Sequence, residues 1–366
     1  MKIRIKSYEL KSVLKKFKNL KYEKRDLKDK AAEELQKSLY IITKGSNDTV
    51  IFKVCNEIIQ MEVASPAEII EPGNALIPNE LLSVIESIEE PEVIITNDEI
   101  RYGQNSINYV LLNYEFIQIH STCPKNKLFE APENELYRLI KNTSYCMSED
   151  KIRPILTGLN FHENKVAALD GVRLCVSETN KFNIHSSITL PGNLVKLLLK
   201  VLNKRSEKIV QVYTDDEAEY IEVAIGDLII TSKLLEGKFI KYSSIIPEEC
   251  SLKIKVDPKK LYGKMKAMFK MTSAAQEITV FTIEQDKLTI EKVNAISKIQ
   301  ESIPIQVLEN YVQLPFKIAS NAAYWKEPLK KYKKCIIEFS SRVSPIILKN
   351  DADLDLILPV RITSNF

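Results

Sequence analysis

The chain has 366 residues, 52 of them lysine or arginine and 49 acidic, for a formal net charge of +3. With 45% hydrophobic and 28% charged residues and only nine glycines, the composition is that of globular domains and excludes disordered or collagen-like chains. The length exceeds one ordinary core and fits two or three domains of roughly 100 to 200 residues, while the small net charge is low for a protein that grips nucleic acid by affinity alone.

In chain order, apolar residues first recur at helical spacing from Tyr8 to Leu20, with Leu10, Leu14 and Phe17 as the stripe. Tyr22 to Gln36 is dense in Lys, Glu and Asp and reads as a solvated helix or loop. A second helix is expected from Pro78 to Ile88, because proline suits a first helical turn. Short alternating runs then follow at Val93 to Thr96, Ile100 to Gly103 and Ile107 to Leu112.

The same order returns twice. Helices are expected at Glu133 to Cys146 and Pro191 to Leu202, with strands at Ile209 to Tyr213, Tyr220 to Ala224 and Leu228 to Leu234. Between those helices, Ile155 to Phe161 and Val166 to Leu169 read as strands joined by the polar turn Glu163-Asn164-Lys165, with Asp170-Gly171 as the closing turn. The third round has helices at Pro258 to Met271 and Pro315 to Leu329, with Pro328 ending or kinking the latter near Glu327. Its strands are Cys335 to Phe339, Pro345 to Leu348 and Leu354 to Pro359. Leu111 to Ile119 echoes Leu234 to Tyr242, and the prolines that follow, Pro124 and Pro247, mark boundaries. The expectation is an α+β chain of three repeated domains, 1–124, 125–248 and 249–366, the first divergent.

No apolar run reaches the roughly 18 residues of a membrane span, and the lysine-rich start lacks the apolar part of a secretory signal; a cytoplasmic location without membrane contact is expected. Cys55, Cys123, Cys146, Cys175, Cys250 and Cys335 are scattered without a CxxC pair and read as buried small hydrophobes rather than a zinc site or disulfide framework. There is no Gly-rich phosphate loop, no HExxH and no GxSxG, and His120, His162 and His185 are isolated in sequence. A spatial dyad such as Cys146 with His162 stays open, but no enzyme, cofactor or metal is expected.

Four separated stretches carry a resemblance. They are Arg153-Pro154-Ile155-Leu156-Thr157-Gly158 with Leu169-Asp170-Gly171-Val172-Arg173-Leu174; Glu236 to Pro247; Asn321 to Leu329; and Val343-Ser344-Pro345 with Leu358-Pro359-Val360-Arg361-Ile362. In that order they resemble the bacterial DNA polymerase III beta subunits, the sliding clamps. The likeness covers domains two and three, with the first matched only by element order. Val172 and Leu169 stand where the family has histidine and threonine, and Ile240 and Ser244 where it favours proline and arginine.

The resemblance implies a DNA clamp fold. Two chains would join head to tail in a ring-shaped homodimer, with sheets outside and helices lining a central hole for duplex DNA, bound without sequence preference. It implies a non-catalytic processivity factor that tethers the DNA polymerase III alpha subunit and the clamp loader through short peptides. The peptide pocket carried over by motif comprises Leu156, Leu169, Gly171, Val172, Arg173, Leu174, Ile240 and Ile245. From the third domain it adds Asn321, Tyr324, Val343, Ser344, Leu356, Leu358, Pro359, Val360 and Arg361. Separately, basic residues fall on the polar sides of five of the six expected helices, and Lys11, Lys15, Lys18, Arg138, Lys141, Lys196, Lys200, Lys204, Lys260 and Lys264 are the expected DNA-facing set. Lys326, Lys330 and Lys331 extend that set to the last helix. The rival reading is a divergent clamp-fold paralogue that acts as an interaction scaffold without a replicative role.

Overall fold

A computed structural model describes residues 1–20, 37–43, 48–110, 126–271, 278–293 and 297–362. The expectations for Tyr22 to Gln36, Leu111 to Ile119, His120, Cys123 and Pro124 lie outside the described residues. The elements begin with β1 (Lys2–Lys6), α1 (Ser7–Phe17), β2 (Leu39–Thr43), β3 (Thr49–Cys55), β4 (Ile59–Pro66), β5 (Glu68–Glu71) and β6 (Asn74–Ile77). Next come α2 (Asn79–Ser87), β7 (Glu92–Thr96), β8 (Glu99–Tyr102), β9 (Asn105–Asn108), β10 (Asn126–Pro132) and α3 (Glu133–Thr143). They continue as β11 (Gly158–Glu163), β12 (Lys165–Leu169), β13 (Arg173–Glu178), β14 (Ile184–Pro191), α4 (Gly192–Val201), β15 (Ile209–Thr214), β16 (Tyr220–Ile225) and β17 (Leu228–Lys233). The last group is β18 (Leu252–Val256), α5 (Pro258–Lys270), β19 (Ile278–Ile283), β20 (Lys287–Val293), β21 (Lys298–Pro304) and β22 (Gln306–Asn310), then β23 (Phe316–Asn321), α6 (Lys326–Lys331), β24 (Cys335–Phe339), β25 (Ile346–Lys349) and β26 (Asp353–Ile357).

The chain divides into two compact units, one of Met1–Tyr137 with Asn193–Leu235, the other of Arg138–Gly192 with Glu236–Phe366. In the first, a five-stranded sheet runs β5-β1-β7-β8-β9 and an eight-stranded sheet runs β10-β15-β16-β17-β4-β3-β2-β6. Alternation along β4 puts Ile59, Met61 and Val63 on one face, and α1 packs beside β4 with Leu10, Val13, Leu14 and Phe17 buried. In the second unit, a nine-stranded sheet runs β14-β11-β12-β13-β26-β25-β24-β18-β22 and a four-stranded sheet runs β21-β20-β19-β23. Its core gathers Leu261, Met265 and Met268 of α5 with the sheet residues Ile254, Ile290 and Ile337. Trp325 is fully buried, stacked on Phe281 at 4.5 Å, and its indole N–H donates to Ser320 Oγ, so the one polar atom of the ring is satisfied.

Two strand patterns occur three times each. The first is β6-β2-β3-β4, repeated as β14-β11-β12-β13 and β23-β19-β20-β21; the second is β1-β7-β8-β9, repeated as β10-β15-β16-β17 and β18-β24-β25-β26. The architecture is α+β, as expected.

Several elements differ from the sequence reading. Residues 316–321, expected as helix after Pro315, form β23; the helical part is a 3-10 turn, Ala322–Trp325, followed by α6. The register of β23 with β19, Ala319 opposite Val280, buries apolar side chains that a helix would have turned elsewhere. Pro328 then lies in the first turn of α6, where its missing N–H removes no internal bond, and it does not kink a longer helix. Residues Pro154–Thr157 form a 3-10 turn rather than the start of a strand. The largest correction concerns cysteine: Cys146 and Cys175 are joined by a disulfide across a sequence separation of 29, whereas Cys55 and Cys335 are buried thiols and Cys250 is a half-buried one. Spacing along the chain carried no sign of this, because the fold brings the turn after α3 beside the middle of β13.

Candidate functional site

The residues expected to form a pocket all belong to the second unit. Strand β13 pairs antiparallel with β26, Leu174 opposite Leu356 and Val176 opposite Leu354, so a single apolar face runs across this junction. Leu156, Leu169, Leu174 and Leu356 are buried there in one cluster with Ala167, Val176 and Ile347. Ile155, Phe239, Tyr242, Ile246 and Leu354 pack against the cluster. In the same unit, Val172, Ile240, Ile245, Val343 and Leu358 are large apolar side chains left exposed.

The polar rim is held by short-range bonds. Asp170 accepts the backbone N–H of Val172 at 3.0 Å and of Arg173 at 2.7 Å, and also pairs with the Arg173 side chain, Nη2 at 2.7 Å and Nε at 2.8 Å. Gly171 has φ +92, a backbone state that disfavours any other residue in this tight turn. The guanidinium of Arg173 is thereby aimed over the ring of Tyr324, 4.8 Å from its centroid. Asn321 accepts the N–H of Ala323 at 2.9 Å and caps the turn that carries Tyr324. Ser344 is tied to Ser341 through both its N–H and its hydroxyl. Leu358 N–H donates to Val172 carbonyl at 2.9 Å and Val360 N–H to Ala319 carbonyl at 2.8 Å, which fixes the strand end around the half-buried Pro359. Val360 packs on Ile278, Val280 and Ala319, and Arg361 is exposed.

The pocket carried over by motif left out Phe239, Tyr242 and Ile246, although Phe239 and Tyr242 lie in the Glu236 to Pro247 stretch that carries the resemblance. Their signal was present in Phe239-Ile240-Lys241-Tyr242-Ser243-Ser244-Ile245-Ile246, a segment too apolar for a simple linker. The Tyr242 phenol is pushed up to about 12, first by burial and then by Glu163 and Glu178.

The repeat supplies an internal comparison. At the corresponding junction of the first unit, β17 pairs with β4, Ile230 opposite Met61 and Thr231 opposite Gln60. There the face beside α1 is apolar and the other is charged, with Lys53 Nζ 2.6 Å from Glu62, Gln60 bonded to Glu62, and Glu222 nearby with its carboxyl raised by burial and by Glu62. In the second unit the polarity is reversed. The face opposite the apolar floor carries Cys175, Ser177, Asp353 and Asp355, reached by Arg138 and Asn142 of α3 and Lys331 of α6. A buried apolar cluster flanked by a fixed Asp170–Arg173 ion pair is thus found at one of these two junctions and not at the other.

The basic residues divide. Lys15, Lys141, Lys196, Lys200, Lys204 and Lys260 are exposed, Lys11 is half-exposed, and none has an ion-pair partner among the described residues. Lys18 Nζ lies 2.7 Å from Glu86, and Lys264 Nζ 2.7 Å from Glu301. Arg138 donates to Ser177 Oγ at 3.1 Å and to Glu178 carbonyl at 2.7 Å, so it is anchored on the sheet. Lys331 is nearly buried and pairs with Asp355 at 2.6 Å, which takes it out of the exposed basic set of the last helix. Cys146, bonded to Cys175, has no thiol to pair with His162. No described helix is long and apolar enough to cross a membrane.

Comparison with known proteins agrees with the motif reading. Residues 130–241 match the family described as DNA polymerase III beta subunit, central domain. The beta sliding clamp of Staphylococcus aureus is 22% identical over 310 residues, covering 80% of this chain and 81% of the relative. Among solved structures, the DNA polymerase sliding clamp of Bacillus subtilis has a TM-score of 0.83 at 19% identity, covering 99% of this chain and 100% of its own. The Caulobacter crescentus beta sliding clamp has a TM-score of 0.86 at 17% identity, again covering 99% and 100%. With the fold shared end to end and residues 130–241 matched by sequence, this chain has the fold of the bacterial beta sliding clamps and a central segment similar to that of the DNA polymerase III beta subunits.

Proposed function

We propose that the chain is a replicative sliding clamp: a non-catalytic, cytoplasmic processivity factor that encircles duplex DNA as a homodimer. It tethers the DNA polymerase III alpha subunit and the clamp loader through short peptides. The observation that carries this reading is the apolar floor at the β13–β26 junction, rimmed by Arg173 over Tyr324. A peptide with one or two bulky apolar side chains would cover Val172, Ile240, Ile245 and Leu358, each anchor contributing roughly 1.5 to 3 kcal/mol before entropic costs.

Division into three clamp domains, 1–124, 125–248 and 249–366, also accounts for the sheets. The first two domains then meet at β4 and β17, and the second and third at β13 and β26. The next pair in that series is β21 with β9, each the last strand of its sheet among the described residues. Pairing β21 of one copy with β9 of another, twice, closes a head-to-tail ring and satisfies edges that would otherwise be exposed. A ring holds DNA by topology, so exposed lysines such as Lys196, Lys200 and Lys260 need only weak, sequence-independent phosphate contacts.

The scaffold reading draws on the pairing of Lys18, Lys264 and Arg138 within the chain, which leaves fewer cations for DNA. Titration with a Q-L-x-L-F pentapeptide tests the groove: micromolar binding is expected, lost in Leu174→Asp with Val360→Asp. No binding by the parent chain, or undiminished binding by the double variant, rejects it. Complementation of clamp-depleted cells separates the replicative reading from the scaffold.

A further inference from the structure

Beneath the groove, on the opposite face of β13, lies chemistry that the tethering function does not use. Cys146 ends the 3-10 turn Ser144–Cys146 after α3, Cys175 sits in β13, and both are buried. Their Cα atoms are 6.1 Å apart, within the range a disulfide bridges without moving backbone. The loop that the bond closes contains the whole stretch from Arg153 to Leu174, which supplies one side of the groove. Cys175 adjoins Leu174 of the floor and lies two residues from Arg173 of the rim.

Asp355 shares this site. Its Oδ1 lies 3.0 Å from Cys175 Sγ and accepts the hydroxyl of Tyr145, the residue before Cys146. Its Oδ2 accepts from Tyr332 at 2.6 Å and from Lys331 at 2.6 Å. The donor atoms of Cys146, Cys175 and Asp355 fall within 4.8 Å of one another, a spacing that also suits a metal ion. The Lys331 ammonium already neutralises that carboxylate, however, and the two sulfurs are bonded to each other. The arrangement therefore favours redox chemistry over metal binding.

We propose that Cys146 and Cys175 are a reversible dithiol–disulfide couple that regulates the groove; this rests on the groove being the peptide site. Oxidation by a low-molecular-weight disulfide of the glutathione type forms the Cys146–Cys175 bond. The two thiol hydrogens pass to the small disulfide, which leaves as two small thiols; a reducing dithiol reverses the step. Two thiols need more room than one bond. Because both sulfurs are buried, that room comes from the 144–146 turn or from β13 itself, and the Asp170–Arg173 rim is displaced with it. The oxidised form has the preorganised groove and binds peptide more tightly, by about fivefold, a typical size for coupling between sites.

The test uses the full chain equilibrated in oxidised or reduced glutathione, then alkylated in denaturant and weighed intact, with pentapeptide titration of each form before denaturation. Of the six cysteines, six alkylated after reduction and about four after oxidation, with the tighter Kd in the oxidised form, is the expected result. Cys146→Ser and Cys175→Ser should each bind with an affinity independent of redox state, their folds checked by circular dichroism. Six alkylated cysteines under both conditions, equal affinities of the two forms, or stoichiometric zinc in the reduced chain by elemental analysis would each overturn the proposal. If neither form binds peptide while the alkylation count still changes, the groove reading has failed and the regulation falls with it, although the couple itself stands.

Discussion

Arg173 shows how much of the site depends on one turn. Asp170 binds its backbone and its side chain, and only that fixed guanidinium can sit 4.8 Å from the Tyr324 centroid. Arg173→Ala is expected to weaken pentapeptide binding about tenfold, roughly 1.4 kcal/mol. Arg173→Lys should not restore it, because an ammonium cannot both fork to Asp170 and stack on the ring; calorimetric titration checks both. Leu174 is buried, so Leu174→Ala should cost about 2 to 5 kcal/mol of stability in denaturant unfolding. Glu222 responds to pH instead. Its carboxyl is raised above the ordinary range by burial and by Glu62, so the folded chain holds its proton more tightly than the unfolded chain. That stabilisation is complete below the ordinary glutamate range and is lost as pH rises through the raised value. Glu222→Gln should therefore melt above the parent at neutral pH and level with it in acid, in melts from about pH 4 to about pH 8.

At the scale of elements, the helices differ in what their basic residues are free to do. On α4 and just beyond it, Lys196, Lys200 and Lys204 are exposed and unpaired among the described residues, whereas Arg138 of α3 is tied to Ser177, Glu178 and Asp353. Lys196→Glu with Lys200→Glu should weaken duplex binding, and the log-log salt slope should fall by about 0.9 for each phosphate that is no longer neutralised. Arg138→Ala should lower the melting temperature and leave that slope unchanged, as expected of an anchor in a buried network. Fluorescence anisotropy at several salt concentrations separates the two effects. Lys264→Glu should fall between them, since Glu301 already draws that ammonium away from phosphate.

For the whole molecule, closure through β9 and β21 predicts a species of about twice the 41.9 kDa chain mass in sedimentation equilibrium. Proline within β9, as in Ser106→Pro, removes a strand donor, which an edge tolerates and a sheet interior does not. A monomer with near-parental circular dichroism is the expected outcome. A dimer unchanged by that substitution would place the interface on other strands.

Part of the order of helices and strands is legible in the sequence by itself, as for α1, α4 and α5 and for β15, β16 and β17, because periodicities of 3.6 and 2 are written in which residues are apolar. The sequence also carried the resemblance to the sliding clamps whose fold the chain shares, through short motifs at turns and strand ends such as Asp170-Gly171-Val172-Arg173. The tertiary structure decided what depends on strands meeting from distant parts of the chain. Leu174 and Leu356 look alike in sequence to any core leucine, and their meeting across β13 and β26 joins two distant segments in one buried apolar cluster. Likewise β23 is a strand because β19 offers a register that buries Ile318 and Ala319, a partner no local pattern reveals. The Cys146–Cys175 bond and the charge pairs of Lys18, Lys264 and Lys331 belong to the same class. Each joins groups whose proximity arises from packing, and burial then sets whether a thiol, a carboxylate or an ammonium is left for solvent or for its neighbour.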